Sequence, residues 1–139
     1  MITNNVPLNI FIATSVSFFV AGALKILITY FKREKVNFKM ALSTGGMPSS
    51  HTAVVAGLTT SVLMHEGFSV LFVISLFFSI IVMTDAVGVR METGKQAKAL
   101  NKMLKTKEFN ERSGHTLLQV IGGLIVGVLI GTLLFFISF

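Results

Sequence analysis

The chain has 139 residues and a formal net charge of +6, and it is 53% hydrophobic but only 13% charged. A soluble domain is about one quarter charged, so a mean hydropathy of +0.79 excludes that class and leaves a small polytopic membrane protein, one domain over residues 1–139. The absence of cysteine excludes disulfides and thiolate metal sites.

Residues 1–7 lack the basic region and cleavage site of a signal peptide and read as a short mature N-terminus. The first predicted helix runs from about Val6 to Phe31, an almost unbroken apolar stretch long enough to span a bilayer. Lys25 interrupts it near its far end. It reads first as a lysine snorkelling toward the interface, with a place in a site as the alternative. A short basic loop follows, with Lys32, Arg33, Lys35 and Lys39.

Next comes Gly45-Gly46-Met47-Pro48-Ser49-Ser50-His51-Thr52. Glycines permit φ > 0, Pro48 suits a first helical turn, and Ser49 or Ser50 can cap the helix. The dipole at a helix start favours an anion. The octet thus fits an oxyanion cradle beside a histidine, or simply a capped helix start after a glycine turn. The second helix continues through Leu63 and Met64; its Gly, Thr, Ser and Ala content suits packing inside a bundle rather than against lipid.

A third helix is predicted over about Phe68 to Val89, ending near Asp85, Gly88 and Arg90. Residues 91–113 are polar and basic. Lys95, Lys98, Lys102 and Lys105 fall on one stripe there, and Ala97, Leu100, Met103 and Leu104 on another. That pattern predicts an amphipathic helix at the membrane surface, or a solvated helical loop. The fourth spanning helix opens at Gly114-His115-Thr116. Its glycines Gly123, Gly127 and Gly131 recur at four-residue spacing beside Gly122, as on a packing face, and they make a homo-oligomer plausible.

Eleven of the 12 Lys and Arg residues lie at 32–39 and 90–112. The positive-inside rule then places both basic loops in the cytoplasm and both termini outside. The predicted fold is an all-α membrane bundle of about four transmembrane helices plus a cytoplasmic-face amphipathic helix.

This topology gathers His51, Asp85, Arg90, His115 and Lys39 at one face, together with two helix N-termini. Each has a plainer reading: interfacial histidines, a positive-inside arginine, and Asp85 neutralising Arg90. Asp85 and Arg90 do not share a face of a regular helix, since five residues turn it by about 140°. Polar groups at membrane depth are costly unless they pair or serve a site, and together they suit phosphoryl transfer. A neutral, oriented histidine can be the nucleophile, and a helix start favours the neutral form. A second, protonated histidine can donate to the leaving oxygen. With six carboxylates in all, no carboxylate-rich metal cage can be assembled. Neither a metal nor another cofactor is expected, and no nucleic-acid partner.

At these residues the chain resembles the divergent branch of the type-2 phosphatidic acid phosphatase superfamily, related to acid phosphatases and vanadium haloperoxidases. The resemblance rests on Gly45-Gly46-Met47-Pro48-Ser49-Ser50-His51, on Asp85 to Arg90 with Gly94, Gln96, Leu100 and Asn101, and on Gly114-His115-Thr116 with Gln119-Val120 and Gly123. It implies His51 as general acid and His115 as nucleophile, with Gly46, Ser49 and Ser50 at the phosphate. Three departures stand out. Ser50 replaces a glycine, and Gln119 replaces the aspartate that orients the nucleophile, a role Asp85 would have to take for an orienting charge to remain. Phe109 stands where an arginine is expected, leaving Arg112 or Arg90 to serve; Lys39 is a loose match for the superfamily's first basic motif. The implied function is hydrolysis of a phosphomonoester or diphosphate on a membrane lipid or similar amphiphile. The alternative is a non-catalytic protein, a transporter or assembly subunit, that binds phosphate or lipid headgroups.

Overall fold

The structure is a computed structural model that describes residues 5–33, 46–111 and 113–138. Lys39, Gly45 and Arg112 lie outside the described residues. Among the described residues five helices follow one another: α1 (Val6–Phe31), α2 (Ser50–Glu66), α3 (Val70–Val87), α4 (Val89–Leu104) and α5 (Leu117–Ser138). Three segments among these residues are long and apolar enough to cross a membrane: Val6–Phe31, the Val70–Leu104 stretch that contains α3, and Leu117–Ile137. At about 1.5 Å per residue, the 17 residues of α2 reach roughly 25 Å, and α2 is the helix the others surround, in contact with α1, α3 and α5.

Capping sets the helix starts. Asn5 Oδ1 accepts the Leu8 N–H at 3.3 Å, and Pro7 sits in the first turn of α1, where its missing N–H is no loss. Ser69 caps α3 through the Phe72 N–H at 3.2 Å. Ser49 caps α2. Pro48, joined to Met47 by a cis peptide bond, therefore stands before the cap, outside the first turn where the sequence suggested it.

The bundle is apolar outside and small or polar inside. Its largest fully buried side chains are Lys25, Thr52, Ser17, Ser49 and Ser61, while Phe11, Phe19, Phe77, Ile125 and Phe136 are exposed. A soluble core reverses this distribution. In a bilayer the tails solvate the apolar surface, and helices associate through close backbone approach and interhelical hydrogen bonds. Both devices are present. A Cβ on Gly57 would lie 2.3 Å from Ser17 Oγ, so α1 runs against α2 nearly backbone to backbone. Between α2 and α3, Thr59 Oγ1 donates to the Ser75 carbonyl at 3.0 Å, and Ser79 Oγ donates to that of Val55 at 3.0 Å.

The glycine face of α5 packs inside the chain. A Cβ on Gly123 would meet the Ser49 carbonyl oxygen at 2.4 Å, one on Gly127 that of Ala53 at 2.4 Å, and one on Gly131 that of Gly57 at 3.1 Å. Each four-residue step on α5 matches a four-residue step on α2, so the two helices are parallel and begin at the same end. The seam that made self-association plausible is thus an intramolecular contact.

Candidate functional site

The starts of α2 and α5 meet at the end of α3, where α4 begins. Backbone bonds tie them: the Ser49 N–H donates to the Gln119 carbonyl at 3.0 Å, and the His115 N–H to that of Ala86 at 2.9 Å. A continuous α3–α4 helix would occupy the Ala86 carbonyl with the Arg90 N–H. The break at Gly88 releases that carbonyl to hold His115 and creates a third helix N-terminus. The sequence placed a separate amphipathic helix after Gly88 but counted only the starts of α2 and α5 at the site.

The same break changes the relation between Asp85 and Arg90. A regular helix would separate them, yet Arg90 Nε donates to Asp85 Oδ2. Asp85 therefore pairs with Arg90 and not with His115, so it does not replace the absent orienting aspartate.

Gln119 fills that position. Thr116 and Gln119 form a capping box at the head of α5: Thr116 Oγ1 accepts the Gln119 N–H at 3.4 Å, and Gln119 Oε1 accepts the Thr116 N–H at 3.0 Å. The same oxygen lies 3.2 Å from His115 Nδ1. Because it already accepts the Thr116 N–H, the amide presents oxygen to the ring, which favours the proton on Nδ1 and the lone pair on Nε2. His115 is 4% exposed, and burial holds its imidazole below the usual histidine range. Hydrogen bonds to Gln119 and to the Gly46 backbone work the other way, and the charges of Lys25 and His51 add to the lowering.

His51, in the first turn of α2, is exposed and within electrostatic reach of Arg90, Lys25, Asp85 and His115. Ser49 Oγ is engaged at the cap, accepting from Thr52 N–H at 3.3 Å and from Thr52 Oγ1 at 3.0 Å. Ser50 Oγ is buried with no hydrogen-bond partner among the described residues, and so is the serine hydroxyl left for a ligand.

Lys25 is the residue that sequence reasoning misplaced. It does not snorkel. It is 1% exposed, about six residues from the end of α1, hence roughly 9 Å below it. Gly46, at φ +84°, lies over its stem: a Cβ there would be 3.3 Å from Lys25 Cδ. The available signal was weak: Lys25 falls in the four-residue series Asn9, Ala13, Ser17, Ala21 and Thr29 on the buried face of α1.

Beyond Leu104 the chain returns along α4. Asn101, 5% exposed, donates Nδ2 to the Phe109 carbonyl at 2.9 Å and to Glu111 Oε1 at 2.8 Å, and accepts the Phe109 N–H at 3.1 Å. A Cβ on Gly94 would lie 2.6 Å from the Ser113 carbonyl oxygen, and one on Gly114 2.3 Å from Met91 N. This side of α4 thus guides residues 109–111 and 113–114 into His115, which gives Gly94 and Asn101 a physical reason to be what they are. Phe109, where an arginine was expected, is part of that return. Among the described residues no three His, Asp or Glu side chains are grouped to hold a metal ion.

A small all-helical membrane bundle with two histidines, a buried lysine and three helix N-termini at one end is the class this geometry defines. Compared with known proteins, the chain matches the Divergent PAP2 family over residues 6–130. It is also 34% identical over 131 residues to the uncharacterized membrane protein YuiD of Bacillus subtilis strain 168, covering 79% of this chain and 83% of that one. No solved structure matches it. The chain belongs to the divergent PAP2 family and is an integral membrane protein.

Proposed function

We propose that the protein is a membrane-embedded phosphatase acting on a phosphorylated lipid or similar amphiphile through a phospho-His115 intermediate. The observation that carries this is the Nδ1–Gln119 contact on a buried ring, which favours the tautomer whose Nε2 is the nucleophile. Nε2 attacks phosphorus and the bond to the leaving oxygen breaks. His51, open to solvent, gives that oxygen its proton and then takes one from the water that cleaves the phosphorus–nitrogen bond, releasing phosphate. Lys25, Arg90, Ser50 Oγ and the helix starts balance the equatorial oxygens. Membership of the family supports this reading. The concentration of basic residues in two loops supports a site on the cytoplasmic side, with both termini outside.

The test is phosphate release from phosphatidic acid and from a diphosphate-bearing amphiphile by the purified protein, with His115→Ala alongside. Equal rates would remove the catalytic reading. One observation favours a second reading, a non-catalytic headgroup-binding protein: Gln119 orients the ring but supplies no charge to an imidazolium, and Asp85 is engaged by Arg90. Phosphate binding without turnover would decide for it.

A further inference from the structure

We propose that α4 and its return segment form an arm that docks onto anionic phospholipid headgroups of the leaflet beside the site. Around α4, at about 100° per residue, three faces differ in chemistry. Gly94, Ala97 and Asn101 are buried under the return segment. Val89, Leu100, Met103 and Leu104 form an exposed apolar row, Met103 to 78%. Lys95, Lys98, Lys102 and Lys105 form an exposed row on the side opposite it.

Among the described residues α4 packs against α3 and no other helix, so those residues leave the apolar row uncovered. The row begins at Val89, two residues beyond the end of α3, whose Phe77, Phe78 and Ile81 are also exposed. It therefore continues a lipid-facing surface. A helix that joins a spanning segment and carries such a row has the bilayer interface as its nearest apolar phase.

The lysines select the headgroup. Lys95 pairs with Glu92 at 2.6 Å, while Lys98, Lys102 and Lys105 have no acidic partner among the described residues. A helix is about 10–12 Å across, so ammonium groups on its far side stay within roughly one Debye length, ~8–10 Å, of the headgroup plane. An anionic surface attracts them there and a zwitterionic one does not.

Because the chain has no cysteine, Met103→Cys gives a single site for an environment-sensitive fluorophore. The labelled full-length protein would be placed in nanodiscs of phosphatidylcholine, alone or mixed with phosphatidylglycerol. The expected result is a blue-shifted emission and a several-fold rise in quenching by headgroup-labelled nitroxide lipid when phosphatidylglycerol is present. Both effects should reverse in high salt and in the triple variant Lys98→Gln, Lys102→Gln, Lys105→Gln. A probe equally wet in both lipids overturns the proposal. So does energy transfer between two labelled copies in one disc at all lipid compositions, which would make a second copy the occupant. The readout involves no turnover, so its outcome is independent of the phosphatase reading.

Discussion

Gln119 holds His115 through a single oxygen that also caps α5, so the imidazole and the helix start are set by the same atom. Gln119→Ala should therefore act twice. Losing the cap lowers stability by about 1 kcal/mol, and a misaimed ring lowers kcat by about a hundredfold. Thermal unfolding and steady-state kinetics on one preparation separate the two effects. Gln119→Asp should restore much of the rate and move the acid limb to higher pH, because a carboxylate favours the imidazolium.

The pH dependence follows from burial. His115 binds a proton less readily in the folded protein than in the unfolded chain, whose histidines titrate near pH 6.5. The acid limb of kcat/KM assigned to the nucleophile should then lie below about 6.5. Stability follows the same sign: the unfolded chain takes up its proton first as pH falls. The contribution of His115 is present in full above about pH 6.5 and is lost as pH drops through the folded value. Denaturation midpoints that fail to decline on acidification in the wild type more than in His115→Ala would contradict this.

Lys25→Met should separate binding from folding. Methionine fills similar volume without charge, so the unfolding midpoint reports folding apart from ligand binding. A hydrogen bond to a charged group contributes about 1.5–3 kcal/mol, so phosphate or substrate affinity should fall by tenfold or more. Isothermal titration with inorganic phosphate checks this, and unchanged affinity would remove Lys25 from the site.

Asn101→Ala strands the Phe109 N–H and carbonyl, at a cost of about 1–3 kcal/mol. Amide exchange should rise first across residues 109–115. Turnover should fall with it, since that segment delivers His115 to the Ala86 carbonyl.

Gly127→Val and Gly122→Ala test the seam. The Gly127 side chain would enter the Ala53 carbonyl oxygen, whereas Gly122 faces the flexible end of Met47 at 3.2 Å. The first should destabilise by about 1–3 kcal/mol or more, and the second far less. Comparable losses would place the α2–α5 contact elsewhere.

Periodicity and charge by themselves made the bundle legible. An apolar run of 26 residues can only be a spanning helix, and the small-residue content of α2 marked it as enclosed. The histidines, Asp85 and Arg90 could be assigned to one end because alternating spans put them there. Three things depended on coordinates. Whether Lys25 turns inward or toward the interface depends on what packs over it, and that neighbour, Gly46, is 21 residues away. That the break at Gly88 frees the Ala86 carbonyl for His115 is a contact no local pattern encodes. Gln119 reads in the sequence as a lost carboxylate; as the second half of a capping box turned toward a ring, it is an orienting group. Local propensity fixes which segments become helices, but a hydrogen bond between distant segments exists only once packing has chosen which ends meet.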